Sequence, residues 1–67
     1  MQFSDFWDRM DSTFGSSYAR SIALDHSLSD LGGQTIDQAF EQGENAKRIW
    51  MAVCREFGDR VPRHLRR

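Results

Sequence analysis

Apolar residues recur along the chain at intervals of three and four positions, the spacing that places side chains on one face of a helix. The first stripe of this kind contains Phe3, Phe6, Trp7, Met10 and Phe14. Ser4 is the predicted N-cap of this first helix, because its hydroxyl can accept hydrogen bonds from free backbone N–H groups. Gly15 is its predicted end, since glycine readily adopts the left-handed conformation.

Ser16 or Ser17 is the predicted N-cap of a second helix, which is predicted to end near Asp25–His26. Leu28 and Leu31 follow at the spacing of a short helical turn, which the glycine pair after Leu31 closes. No segment alternates apolar and polar residues for long enough to predict a strand.

Two further helices are predicted from capping signals. Thr35, with Gln38 three residues later, has the capping-box pattern and opens a third helix that ends at Gly43. Asn45 is the predicted N-cap of a fourth helix that extends to Phe57.

These elements predict an all-α fold, a compact bundle of four to five short helices with short connections. Residues 1–58 form the single predicted domain, and residues 59–67 form a basic C-terminal tail that Val61 and Leu65 can anchor. The predicted core consists of Phe3, Phe6, Trp7, Met10, Phe14, Tyr18, Ile22, Leu28, Leu31, Ile36, Phe40, Ile49, Trp50, Val53 and Phe57.

Composition narrows the class of protein further. The 67 residues suffice for one domain, and the single cysteine, Cys54, cannot form an intramolecular disulfide, which is typical of a reducing compartment. The N-terminal residues lack the basic start and apolar run of a secretory signal, and no apolar run is long enough to span a membrane. We therefore expect a cytoplasmic protein with no membrane partner.

Charge is divided unevenly along the chain. Residues 1–44 carry eight acidic and two basic side chains, whereas residues 45–67 carry seven basic and two acidic ones, so that the total is −1. The basic half either forms a surface for an anionic partner or is attracted to the acidic half of the same molecule.

A helix-turn-helix-like hairpin is predicted at residues 35–57. Ala39, Gly43 and Ile49 have the spacing of a small residue at a helix crossing, a turn glycine and an apolar residue that locks the second helix. In such a hairpin the fourth helix could enter a major groove, and basic side chains would bind phosphates. The candidate contact residues for nucleic acid or another partner are Asn45, Lys47, Arg48, Met51, Arg55, Arg60 and Arg63.

Two positions fit this hairpin poorly. Glu44 stands where an apolar residue usually seals the corner, and Trp50 occupies a position that should face DNA although it also belongs to the apolar stripe. The acidic half would also repel DNA. A protein-protein interaction or regulatory module is therefore the favoured hypothesis, and a nucleic-acid-binding protein using the basic C-terminal half is the alternative.

Side chains for catalysis or metal binding are few. Asp25 and His26 are adjacent, so on a helix they do not face each other as a dyad, and Cys54 lies on the apolar stripe. With His64 these are too few and too scattered for a structural zinc site, and the glycines stand at helix ends rather than in a phosphate-binding loop. We therefore predict no enzyme activity, no cofactor and no small-molecule substrate.

The whole pattern resembles an uncharacterised family of short actinobacterial proteins, known as a domain of unknown function. The resemblance covers residues 1–62 and is carried by Phe6-Trp7-x-x-Met10, Ala23-x-Asp25-His26-x-Leu28, Leu31-Gly32-Gly33-x-Thr35, Ala39, Gly43 and Trp50-x-Ala52-Val53-Cys54-x-x-Phe57. It implies a compact helical cytosolic protein and no particular activity. Members tend to be encoded beside recombination and repair genes, which implies nucleic-acid or repair-protein partners. The resemblance also suggests that Asp25 and His26 hydrogen-bond to backbone before Leu28.

Overall fold

α-Helices account for most of the chain that the computed structural model describes, residues 1–66. The helices and strands, in chain order, are α1 Phe3–Phe14, α2 Ser16–Asp25, β1 Ser27–Leu28, β2 Gln34–Thr35, α3 Ile36–Glu41 and α4 Ala46–Phe57. Short 3-10 turns lie at Ser29–Leu31, Gly58–Arg60 and Arg63–Leu65. The first of these confirms a helical turn that ends at Leu31, but Leu28, predicted on the same turn, lies in β1.

The predictions for the third and fourth helices are confirmed at their N-termini. The Gln38 backbone N–H donates to Thr35 Oγ1 at 3.2 Å, and the Thr35 N–H donates to Gln38 Oε1 at 3.0 Å, which is a complete capping box. The Arg48 N–H donates to Asn45 Oδ1 at 2.8 Å. Local side chains thus set the start of both helices.

The first helix begins earlier than predicted. Gln2, not Ser4, is its N-cap, and the Gln2 backbone N–H donates to the Asp5 carboxylate at 3.1 Å. An acidic side chain in the first turn also suits the positive end of the helix dipole. Asp5 therefore stabilises a helix that begins at Phe3 and includes Ser4.

The all-α prediction is wrong at one point, because two short strands pair as an antiparallel ladder. Ser27 lies opposite Thr35, and Leu28 lies opposite Gln34. The Gly33 N–H donates to the Leu28 carbonyl at 3.0 Å, with Gly33 at φ 84°, a conformation that favours glycine. Strands of two residues are too short to show alternation, so periodicity could not predict them.

The core lies between the helices and is closed by the strand pair. Its buried apolar residues are Phe6, Trp7, Met10, Ala19, Ile22, Ala23, Leu28, Leu31, Ile36, Ala39, Ala46, Ile49, Trp50, Ala52, Val53 and Val61. Phe14, Phe40 and Phe57 are partly buried and pack against this cluster. The alanines allow the helices to approach closely, and the aromatic rings fill the space between them.

Two predicted core residues, Phe3 and Tyr18, are instead 59% and 48% exposed. Each stands near the beginning of its helix, where one side has no neighbouring element to cover it. Phe3 contacts the edge of Phe40 at a centroid distance of 5.0 Å, and Tyr18 contacts Phe14 at 6.0 Å. Both rings therefore lie at the rim of the core.

The segment after Gly58 packs back onto the helices. Val61 is fully buried, and Leu65 packs against the core, so both residues anchor the segment as expected. The Arg66 side chain donates from Nε to the Val61 carbonyl at 2.9 Å. Arg67, the last residue of the predicted tail, lies outside the described residues.

Candidate partner-binding surface

The outward face of α4 carries a stripe of Arg48, Met51 and Arg55, spaced so that all three lie on one side of the helix. The opposite side holds the buried Ile49, Trp50 and Val53. Met51 is 48% exposed at the middle of the stripe. The hydrophobic period of α4 thus turns two guanidinium groups and one flexible apolar side chain toward solvent.

A groove of about 620 Å³ runs along this stripe. It is lined by Asp30, Arg48, Met51, Ala52, Cys54, Arg55 and Arg66. Ala52 is buried and Cys54 is half-buried, so these two form an apolar floor. Three arginines and one aspartate form the charged rim, which makes the groove cationic.

A second groove of about 510 Å³ adjoins the first, because Arg48 lines both. Its other lining residues are Met1, Asn45 and Lys47. We name the two grooves together the α4 surface, formed by Met1, Asp30, Asn45, Lys47, Arg48, Met51, Ala52, Cys54, Arg55 and Arg66. It extends from the N-terminus of α4 to its last turn.

All three arginines of the α4 surface are paired with carboxylates, and Arg66 Nη2 lies 4.0 Å from Asp59 Oδ1. Arg48 Nε lies 3.5 Å from Glu44 Oε2, and Arg55 Nε lies 3.5 Å from Asp30 Oδ2. The side chains of Arg48 and Arg55 are 67% and 81% exposed, so each pair contributes little to stability. Their main effect is to hold the guanidinium groups beside the groove, with a carboxylate next to each.

Five of the predicted contact residues are brought together on the α4 surface, namely Asn45, Lys47, Arg48, Met51 and Arg55. The Asn45 side chain is already engaged as the helix cap. Arg60 lies elsewhere, with its guanidinium 5.5 Å from the ring centroids of both Phe14 and Tyr18. Arg63 is exposed in the last 3-10 turn and lines neither groove.

The predicted contact residues omit five residues of this surface, although Arg66 belongs to the predicted basic tail: Met1, Asp30, Ala52, Cys54 and Arg66. Asp30 comes from the 3-10 turn between the strands, and Arg66 comes from the end of the described chain. Neither has a periodic relation to α4. The basic composition of the C-terminal segment was a signal for Arg66, but its location depends on how Val61 and Leu65 pack.

The hairpin of α3 and α4 has its turn glycine, Gly43, at φ 86°. Ala39 and Ile49 are both buried, and Glu44 is half-buried at the corner. Trp50 is fully buried in the core. The ambiguity about Trp50 is thereby resolved, since its ring packs inward and leaves Met51 as the exposed apolar residue.

Burial raises the pKa of the Cys54 thiol above its ordinary value, and nearby Arg66 and Arg9 oppose this shift only in part. A raised pKa leaves little thiolate near neutral pH, and the thiolate is the nucleophile. Cys54 therefore acts as part of the apolar floor, in agreement with its position on the apolar stripe.

His26 differs from the expectation that it hydrogen-bonds to backbone. Its Nε2 lies 3.1 Å from Glu56 Oε2, and its ring lies 4.9 Å from that of Phe57. The partner, Glu56, is thus on α4, thirty residues later. A contact at this separation has no periodic signal in the sequence, so it could not be predicted. The contact ties the end of α2 to the last turn of α4.

Within residues 1–66, no helix has both the length and the apolar character that crossing a membrane requires. No group of three or more histidine, cysteine, aspartate or glutamate side chains in this part of the chain is placed to hold a metal ion.

A family model described as a protein of unknown function (DUF3046) matches residues 1–64. The chain belongs to this family. No curated protein and no solved structure matched the chain.

Membership of DUF3046 confirms the resemblance to a domain of unknown function over nearly the whole chain. The matched residues include every α-helix and both strands, and therefore α4 with its stripe. Arg66 lies just beyond the match. The family description supplies no activity, and the evidence for a function therefore comes from the α4 surface.

Proposed function

We propose that this DUF3046 protein is a non-enzymatic interaction module that binds another protein through the α4 surface. One observation carries the proposal, namely the exposed Met51 between Arg48 and Arg55 beside a groove with an apolar floor and a charged rim. Methionine adapts to the shape of a partner, and arginine and methionine are enriched in protein interfaces. Such a centre supplies apolar contact, while the rim supplies charge.

The chemistry of the groove defines the partner. Three arginines against one aspartate favour an acidic segment, and Met51 favours an apolar side chain within that segment. The free thiol of Cys54 agrees with a cytoplasmic location. The actinobacterial family that the sequence resembles tends to be encoded beside recombination and repair genes, so we propose a repair or recombination protein as the partner.

DNA is the alternative ligand of the same surface. The α3–α4 hairpin, with Lys47, Arg48 and Arg55 on its outer helix, supports this alternative. One feature weighs against it. The exposed Met51 occupies the centre of the surface without a charge, so it offers no contact to phosphate.

Site-specific photocrosslinking in the cells that make the protein tests the proposal. A benzophenone side chain is introduced at position 51, and a control is introduced at Ser12, which is exposed on α1. We expect a discrete crosslinked protein from position 51 only, and its yield should fall when Arg55→Ala is added. Adducts that disappear on nuclease treatment would favour the alternative.

An NMR titration of the labelled protein with a mixed-sequence DNA duplex separates the two ligands further. Electrostatic binding to DNA is strongest at low salt. We expect an unchanged spectrum there. Shifts centred on α4 that fade with salt, and that weaken with Lys47→Ala but not with Met51→Ser, would replace the protein partner by DNA.

A further inference from the structure

A second apolar patch lies away from the α4 surface. Leu24 and Phe3 are 64% and 59% exposed, the highest values among the large apolar side chains of residues 1–66. Phe40 links them, since its ring contacts Phe3 at 5.0 Å and lines the same groove as Leu24. Exposed apolar groups joined in this way, with a polar rim, are typical of interaction sites.

The groove at this patch has a volume of about 620 Å³. It is lined by Leu24, Thr35, Asp37, Gln38, Phe40 and Glu41. We name these residues, with Phe3, the α2–α3 patch. Phe40 also contacts the fully buried Phe6 at a centroid distance of 5.0 Å, so the floor of the groove is held by the core.

Acidic side chains form one rim of the patch. Asp37 and Glu41 are both exposed, and neither is in an ion pair within residues 1–66. They stand four residues apart on α3, on the same face and about 6 Å apart along the axis. Asp37 and Glu41 thus place two negative charges one helical turn apart beside the groove.

Arg20, one helical turn before Leu24 on α2, does not line the groove, and its guanidinium lies 4.3 Å from the centre of the Trp7 ring. The cation–π contact keeps this charge on Trp7. The negative charge of the patch is therefore concentrated along α3.

We infer that the α2–α3 patch docks a basic amphipathic helix of another protein. An apolar side chain of that helix packs against Leu24 and Phe40, and two lysines or arginines one turn apart face Asp37 and Glu41. A helix fits because basic residues four positions apart on it have the same spacing as Asp37 and Glu41 on α3. Opposite charge then sets the orientation of the ligand.

This inference does not rest on the proposed function of the α4 surface. The two sites differ in sign of charge, and they have no lining residue in common. Substitutions in one therefore serve as controls for the other. The module would hold two ligands of opposite charge at once.

Two helical peptides of about 18 residues serve as probes. Both carry the same leucine stripe, and one has lysine beside it where the other has glutamate. Labelled protein is titrated with each peptide, and amide shifts are followed by NMR. We expect saturable shifts around Leu24 and α3 with the lysine peptide, and a dissociation constant about tenfold higher with the glutamate peptide.

Variants identify the binding site. Leu24→Ser and the double change Asp37→Asn with Glu41→Gln should each weaken the lysine peptide about fivefold or more. Met51→Ser removes a comparably exposed apolar side chain on the α4 surface and should leave binding unchanged. Circular dichroism checks that every variant remains helical. We expect this result because the substituted side chains are exposed.

Three results would overturn the inference. The first is the absence of local shifts at millimolar peptide concentrations. The second is equal binding of the two peptides, or a loss with Met51→Ser as large as with Leu24→Ser. The third is a concentration-dependent shift of the patch without peptide, which would assign it to a second copy of this chain.

Discussion

Trp50 donates its indole N–H to the Leu65 carbonyl oxygen, with 2.6 Å between nitrogen and oxygen. The Arg9 guanidinium approaches the same oxygen from α1 at 3.4 Å. One backbone carbonyl thus joins α1, α4 and the C-terminal segment. Because Arg66 follows Leu65 directly, this bond also sets the position of one rim of the α4 surface.

Replacing the indole tests this junction. We expect Trp50→Phe to lower the free energy of unfolding by about 0.5–1.5 kcal/mol from the lost hydrogen bond, because Arg9 still donates to the same oxygen, in addition to the effect of the smaller ring. Urea denaturation measures the change. Amide hydrogen exchange at Leu65 and Arg66 should quicken together, because their segment loses its tie to α4.

Trp7→Phe is the matched control for this prediction. Trp7 is also buried, but its indole N–H has no hydrogen-bond partner within the described residues. The substitution therefore removes ring volume without breaking a hydrogen bond and should cost less. An equal loss in both variants would show that the Trp50–Leu65 bond contributes nothing to stability.

Val61 provides the apolar counterpart of this bond. Val61→Ala removes two methyl groups from a fully buried position, and we expect a loss of about 2 kcal/mol in the free energy of unfolding. Leu24→Ala, at a largely exposed position, should change it by less than about 0.5 kcal/mol. Similar values for the two variants in urea denaturation would mean that the C-terminal segment does not belong to the folded unit.

The two confirmed caps make separate predictions. Thr35→Ala and Asn45→Ala should each lower the free energy of unfolding by about 1 kcal/mol. Each substitution removes the side-chain oxygen that accepts a hydrogen bond from a backbone N–H in the first turn of the helix. Ser12→Ala, at an exposed position inside α1, is the control and should be neutral or slightly stabilising. Thermal unfolding of the three variants gives the comparison. No difference between caps and control would contradict the assignment of the helix starts.

Cys54 makes a prediction about pH. Burial raises its pKa, so iodoacetamide should alkylate the folded protein more slowly than a free thiol at pH 8, and the rate should keep rising beyond the pH where a free thiol levels off. A rate equal to that of glutathione across this range would contradict the shift.

The same shift affects stability. The folded state holds the thiol proton more tightly than the unfolded state, so this contribution is present below the unfolded pKa of about 8.5 and is lost as pH rises through the folded pKa. Cys54→Ala should remove this part of the alkaline loss. The measurement is the free energy of unfolding at neutral and alkaline pH for both proteins.

Local interactions explain which parts of the fold could be predicted. The Thr35–Gln38 and Asn45–Arg48 hydrogen bonds join residues three positions apart, so they are visible in the sequence as spacing. The period of α4 likewise separated the buried Trp50 side from Met51 and its flanking arginines. Five of the ten residues of the α4 surface are accordingly among the predicted contacts.

Long-range contacts explain the rest. The β1–β2 pair joins Ser27 to Thr35, and His26 meets Glu56 thirty positions away, neither of which leaves a periodic signal. Asp30 and Arg66 enter the α4 surface through the same kind of contact. Each depends on the path of the chain between helices.

The sequence by itself therefore determined the four helices, the caps of α3 and α4, most of the inward-facing residues and the division of charge, because these depend on neighbours within one or two turns. Only the tertiary structure decided that Phe3 lies exposed beside Phe40, that the C-terminal segment folds back onto Trp50, and that acidic and basic grooves form on separate surfaces. Burial and groove shape depend on how the helices pack against each other, and this packing is fixed only when all the helices and the C-terminal segment have come together.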